Sequence, residues 1–139
     1  MIELEEALEH GAGLLGMAGT ADLREVISRV DIGDETARLA YGVYVHRMRQ
    51  EFGAMVASLE GVDAIVFTGG AGAGSARLRS DVCGRLGYLG AGLDELVNST
   101  PVGDAIVSLA GSRVAIAVVR AREDLEIARQ VRSLPDTPA

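Results

Sequence analysis

The longest periodic stretch of the chain runs from Glu35 to Leu59. Tyr41, Tyr44, Met48, Phe52, Met55 and Leu59 recur three and four residues apart, which predicts the apolar face of a long helix. Ala40, Val43 and Val56 widen that face, while Arg38, Arg47, Arg49 and Glu51 fall mostly on the other. Asp34 stands where an N-cap belongs, and Glu60-Gly61 where the helix should stop. Ala64 to Phe67 then forms a short continuous apolar run with β-branched residues, the pattern of a strand covered on both faces. It leads into the glycine-rich turn Gly69-Gly70-Ala71-Gly72-Ala73-Gly74. From Ser75 a second helical pattern follows, with Leu78, Val82, Leu86 and Leu89 on one side and Gly90 and Gly92 at its end.

The rest of the chain is more broken. Glu3 to Leu15 is helix-like but interrupted by Gly11 and Gly13, and a loop from Met17 leads into a short helix carrying Leu23, Val26, Ile27 and Val30. Leu93 to Asn98 reads as a short strand, and Ser99-Thr100-Pro101 breaks it. Ala105 to Leu109 is a weaker strand pattern, and Arg113 to Val119 a strong buried one. Glu123 to Arg132 predicts a last helix with Leu125, Ala128 and Val131 inward, before a frayed tail over residues 135–139. The order predicts an α/β layered domain in which strands 62–68 and 113–119 lie adjacent and parallel. Their carboxyl ends, at Gly69-Gly70 and at Arg120 to Asp124, are where ligands bind in such sheets.

Composition narrows the function classes. At 139 residues the chain suits one domain. Hydrophobic residues make up 48% and mean hydropathy is +0.23, enough for a packed core, yet no apolar run reaches membrane-spanning length. The acidic start (Glu3, Glu5, Glu6, Glu9) does not read as a secretory signal, so a cytoplasmic protein is expected. A net charge of −7 argues against nonspecific binding to nucleic acid or to an anionic membrane. All 13 basic residues are arginine, so no P-loop or Schiff-base lysine is available within this sequence. The single cysteine, Cys83, falls beside an apolar stripe and reads as a packing residue, and His46 among arginines as a solvated or partly packed histidine.

The glycine turn matches neither of the familiar phosphate-binding spacings. G-x-x-x-x-G-K-[ST] lacks its lysine, and G-x-G-x-x-G fails because its sixth position is Ser75 or Arg77. The glycines allow close backbone approach to a ligand, and a helix opening near Ser75 would aim free N–H groups at the same place. A plain strand–helix loop accounts for the same residues.

Val62 to Arg79, VDAIVFTGGAGAGSARLR, resembles the adenosine-site segment of acetate kinases, D-A-[IL]-V-F-T-[AG]-G-I-G-E-N-[SD]-x-x-[IV]-R. Gly13 to Gly19 followed by Asp22-Leu23-Arg24 is similar to the family's G-L-L-G-x-S-G with its D-x-R. Cys83 to Leu93 and Val118 to Arg129 resemble two further family segments, the latter V-[IV]-P-T-[ND]-E-E-L-x-I-A-R. Nearly the whole chain is covered, but only about the last third of a family member. The resemblance implies a single lobe of the actin/sugar-kinase/Hsp70 (ribonuclease H-like) type, with residues 1–134 as a C-terminal nucleotide-binding domain. It implies an enzyme that passes a phosphoryl group between ATP and acetate with Mg²⁺. On matching positions, Asp22, Leu23 and Arg24 would lie against the adenosine, and Gly70, Ala71, Gly72, Ala73 and Gly74 would form the loop over adenosine and phosphates. Glu123 would help to hold the metal; the favourable placement of a carboxylate at a helix N-terminus explains it equally well. The family dimerises through this lobe, so the resemblance allows a homodimer; the apolar face of residues 41–59 would serve that contact or merely the core.

The departures point the other way. G-I-G-E-N has become Gly70-Ala71-Gly72-Ala73-Gly74, P-T-N-E-E has become Arg120-Ala121-Arg122-Glu123-Asp124, and Ala18 and Ala21 replace two serines. The family's N-x-G-S-[ST]-S segment, its catalytic histidine and aspartate and its substrate-clamping arginines have no counterpart here. No catalytic residue is therefore expected in this chain, which would act with a separately supplied N-terminal lobe or serve as a degenerate nucleotide-binding or dimerisation module.

Overall fold

The computed structural model describes residues 11–133. The predicted helix of residues 3–15 lies largely outside them, as does the predicted tail. Three helices open the described chain: α1 (Gly13–Ala18), α2 (Leu23–Asp31) and α3 (Glu35–Ser58). Gly19 closes α1 at φ 74°, a left-handed conformation that suits glycine. Asp34 caps α3 as predicted, accepting hydrogen bonds from the Thr36 and Ala37 amides at 2.9 and 3.0 Å. The same carboxylate pairs with Arg29, whose other amino group donates to the Ala18 carbonyl at 2.6 Å. One residue thus joins the ends of α1, α2 and α3.

α1 and α2 pack on the first half of α3, so its buried residues are Ala37, Ala40, Tyr41 and Val45. Tyr44, Met48 and Phe52 are partly buried, as the periodicity predicts. Met55 and Leu59 are not: the last turns run past the packed layer and leave them 54% and 67% exposed.

β1 (Ala64–Phe67) runs into α4 (Gly69–Gly74) and α5 (Ala76–Cys83). The predicted helix from Ser75 to Leu89 is shorter than its pattern. It stops at Gly84, and Gly87–Leu89 form a separate 3₁₀ turn that places Leu86 in the core. α6 (Glu95–Ser99) replaces the strand expected at Leu93 to Asn98. Asp94 accepts hydrogen bonds from the Leu96 and Val97 amides at 3.0 and 3.1 Å, and this capping favours a helical turn. Only Leu93 keeps a strand-like bridge, to Ser108.

β2 (Ala105–Ile106), β3 (Ala115–Val118) and α7 (Glu123–Ser133) complete the described chain. The sheet order is β1-β3-β2. β1 and β3 are parallel neighbours, as predicted, with Ala64 opposite Ala115 and Phe67 opposite Val118. Ile65, Phe67, Ile116 and Val118 enter one core with Leu78, Val82 and Cys83 of α5. Phe52 of α3 reaches the same core, its ring 5.9 Å from that of Phe67. α5 is also tied to α3 by Tyr41, which donates to Asp81 at 2.6 Å and lies under the Arg77 guanidinium.

Two further expectations of burial fail. β1 is not covered on both faces: Ala64 and Val66 are exposed, because the helices among the described residues back only one side of it. Nor does α7 pack inward. Leu125, Ile127 and Val131 are about 60% exposed, and no residue of that helix is buried. Its apolar stripe exists without a covering surface among the described residues.

Candidate functional site at the carboxyl ends of two parallel strands

The glycine segment is a helix rather than an open loop. Gly69 turns the chain at φ 71°, where a side chain would be strained, and α4 winds for six residues of which four are glycine. Each helical glycine costs about 1 kcal/mol against alanine, so local propensity does not explain α4. Tertiary contacts hold it. Gly72 is buried against Phe67, where a Cβ atom would already touch the Phe67 backbone at 3.4 Å. The Gly72 and Ala73 carbonyls accept hydrogen bonds from Arg79 at 2.8 and 2.9 Å. Ser75 starts α5 as predicted, its hydroxyl accepting from the Leu78 amide at 3.1 Å.

A hollow of about 470 Å³ lies between α4 and the start of α2. Asp22, Leu23 and Arg24 line one side, and Gly70 and Ala71 another, with Leu14, Ala21 and Tyr44 completing the wall. Asp22 caps α2 through the Arg24 amide at 2.9 Å. Its two oxygens also accept from the Arg24 Nε and terminal amino groups at 3.1 and 2.8 Å. These bonds from Arg24 hold the Asp22 carboxyl below the usual carboxylate range. Arg24 itself projects into solvent, its side chain 90% exposed. Tyr44, read from sequence as core, contributes a partly buried aromatic wall. The hollow is therefore apolar at its base and charged at its rim.

A second hollow, about 480 Å³, opens on the other side of α4. Gly69, Gly70 and Ala73 face Arg120, Ala121, Glu123 and Asp124 across it. Asp104 anchors this far wall, accepting from the Arg120 amide at 2.9 Å and from Arg122 at 3.1 Å. Glu123 and Asp124 open α7, where the helix dipole favours negative charge. No cluster of three or more metal-ligating side chains occurs among the described residues. The two adjacent carboxylates suit an ion that takes most of its shell from water and phosphate, as Mg²⁺ does, and do not suit one needing an all-protein cage.

Gly70 lines both hollows, so they meet at the first turn of α4. The fold thus gathers Asp22, Leu23, Arg24, Gly70, Ala71, Ala73 and Glu123 around one end of the sheet. Gly72 faces the core instead, and Gly74 lines neither hollow. A larger hollow of about 690 Å³ lies along the outer side of α3, beside Leu39, Val43 and the exposed His46. Glu35, Thr36, Arg38 and His46 supply its polar lining, and it lies away from the strand ends.

The model of the acetokinase family matches residues 1–129 of the chain. The chain belongs to the acetokinase family. It is 41% identical over 128 residues to an acetate kinase of Synechocystis, covering 91% of this chain and 31% of that protein. An acetate kinase of Streptomyces coelicolor is 41% identical over 133 residues, with 95% and 33% covered. One of Leifsonia xyli is 44% identical over 129 residues, with 92% and 32% covered. The chain thus spans about a third of the length of these relatives. Among solved structures, an acetate kinase of Porphyromonas gingivalis superposes with a TM-score of 0.86 at 32% identity, over 94% of this chain and 33% of that one. A propionate kinase of Francisella tularensis gives 0.85 at 32% identity, with the same shares covered. The α/β lobe is therefore of the actin-like type, as the acetokinase resemblance implied. No helix among the described residues is long and apolar enough to cross a membrane.

Proposed function

We propose that this acetokinase-family chain supplies the nucleotide side of a carboxylate phosphotransferase. ATP or ADP occupies the joined hollows, with the adenosine beside Asp22, Leu23, Arg24 and Tyr44 and the phosphates running past Gly70 toward Ala73. The reading is carried by one observation. Two motifs some fifty residues apart in sequence, Asp22 to Arg24 and the glycine helix, line the same hollow at the carboxyl end of β1. Glu123, with Asp124 beside it, would hold Mg²⁺ through water. The metal's charge would neutralise phosphate oxygens during transfer. On this reading Arg24 stands at the adenosine rim and Arg120 at the phosphate rim, and no side chain of this chain touches the acyl acceptor.

Phosphoryl transfer needs both substrates positioned and their charge stabilised together. Half of such a site does not provide that, so acetyl phosphate forms only when the remainder of the family polypeptide is present. The uncovered side of β1 (Val66, 51% exposed) and the bare stripe of α7 support a companion on this chain. Hydroxylamine trapping tests the proposal. The purified chain should yield no acetyl hydroxamate from acetate and Mg·ATP, and adding the N-terminal two-thirds of a family member should restore it. Hydroxamate from the chain alone would refute the division of labour.

A second reading, a nucleotide-binding or dimerisation module without chemistry, is favoured by the loop itself. Ala71, Ala73 and Gly74 stand where the family carries isoleucine, glutamate and asparagine. The two readings separate on reconstitution: a module without chemistry stays inactive with any companion.

A further inference from the structure

Arg79 is 1% exposed and sits beneath the glycine helix, outside both hollows. Its Nε donates to the Asn98 side-chain oxygen at 2.6 Å, and one amino group to the Asn98 carbonyl at 2.8 Å. The other amino group bridges the Gly72 and Ala73 carbonyls at 2.8 and 2.9 Å. Asn98 is equally buried, and its amide donates back to the Ala76 carbonyl at 3.0 Å. One guanidinium therefore binds α4 to α6 while belonging to α5. Among the described residues no carboxylate pairs with it.

Burying an unpaired cation is costly, and an apolar residue would fill the same space more cheaply. What an apolar residue would not provide is a partner for the open end of a glycine helix. The carbonyls at a helix C-terminus carry partial negative charge and lack intrahelical donors. Arg79 satisfies two of them and draws its compensation from them. The buried charge and the helical path of α4 therefore depend on each other. The first turn of the same helix, Gly70 and Ala71, forms the wall shared by the two hollows.

We infer that Arg79, held by Asn98, is a positioning residue that sets α4 in the conformation the two hollows require. The inference deepens the nucleotide reading by naming what preorganises its loop, and it rests on that reading only for the binding step.

Amide hydrogen exchange without nucleotide tests it first. In the native chain the Ala73, Gly74 and Ser75 amides should be protected well beyond what a six-residue glycine-rich helix achieves alone. Free exchange at these amides would overturn the inference before any variant is made. Arg79→Gln and, separately, Asn98→Ala should speed exchange there at least tenfold, while the Val45 and Ile116 amides stay within about twofold. Uniform acceleration, or none at residues 73–75, contradicts the assignment. Mg·ADP titration of whichever variant folds should then show about tenfold weaker binding with unchanged stoichiometry. Because the exchange arm uses no nucleotide, a native chain that binds no ADP refutes the function while leaving exchange to decide the clamp.

Discussion

Cys83 shows how burial decides chemistry for a single side chain. Removal from water raises its thiol to about 11, and the nearby Glu95 adds to the effect. At pH 8 it should resist a disulfide exchange reagent in the folded chain and react fully once urea is added; fast labelling of the folded chain would contradict this placement. Asp34 works in the opposite direction. The Ala37 amide first, and Arg29 next, lower its carboxyl. A group lowered on folding stabilises the fold above the ordinary aspartate value of about 3.9, and that contribution fades as pH falls through the folded value. Asp34→Asn should therefore flatten the acid limb of thermal stability below about pH 4, and an unchanged limb would contradict the role. Asp34 was legible as a cap from its place before a periodic run. Arg79 was not: it stood in the sequence as the last residue of a family segment, and its partners lie up to 19 residues away.

At the scale of elements, pattern and context divide the work. The existence of β1, the long period of α3 and the pairing of β1 with β3 follow from residue order, whereas the all-apolar Ala64 to Phe67 gave no sign that β1 is buried on one face only. The helical state of α4 does not, since glycine propensity argues for a turn and only Phe67 and Arg79 reverse it. The stripe of α7 likewise told which face is apolar and not whether anything covers it. Leu125→Ser or Val131→Ser should change the stability of the isolated chain by no more than about 0.5 kcal/mol. Ile116→Ala, at a fully buried strand position, should cost about 2–5 kcal/mol. Denaturant melts of the three variants check both figures, and a large loss from the α7 variants would mean that the helix is packed.

For the whole molecule, the nucleotide account depends on residues distant in sequence meeting at Gly70. Family membership and the actin-like lobe agree with that account, and the eroded loop sets its strength. On the proposed reading, a loop without the isoleucine and asparagine of the family pattern makes fewer selective contacts to the nucleotide. Titration calorimetry of the purified chain with Mg·ADP is the most direct test. Saturable one-site binding in the high micromolar range or weaker, roughly −5.5 kcal/mol or less favourable, is expected. No saturable heat up to about 10 mM would contradict the site, and submicromolar affinity would contradict its erosion.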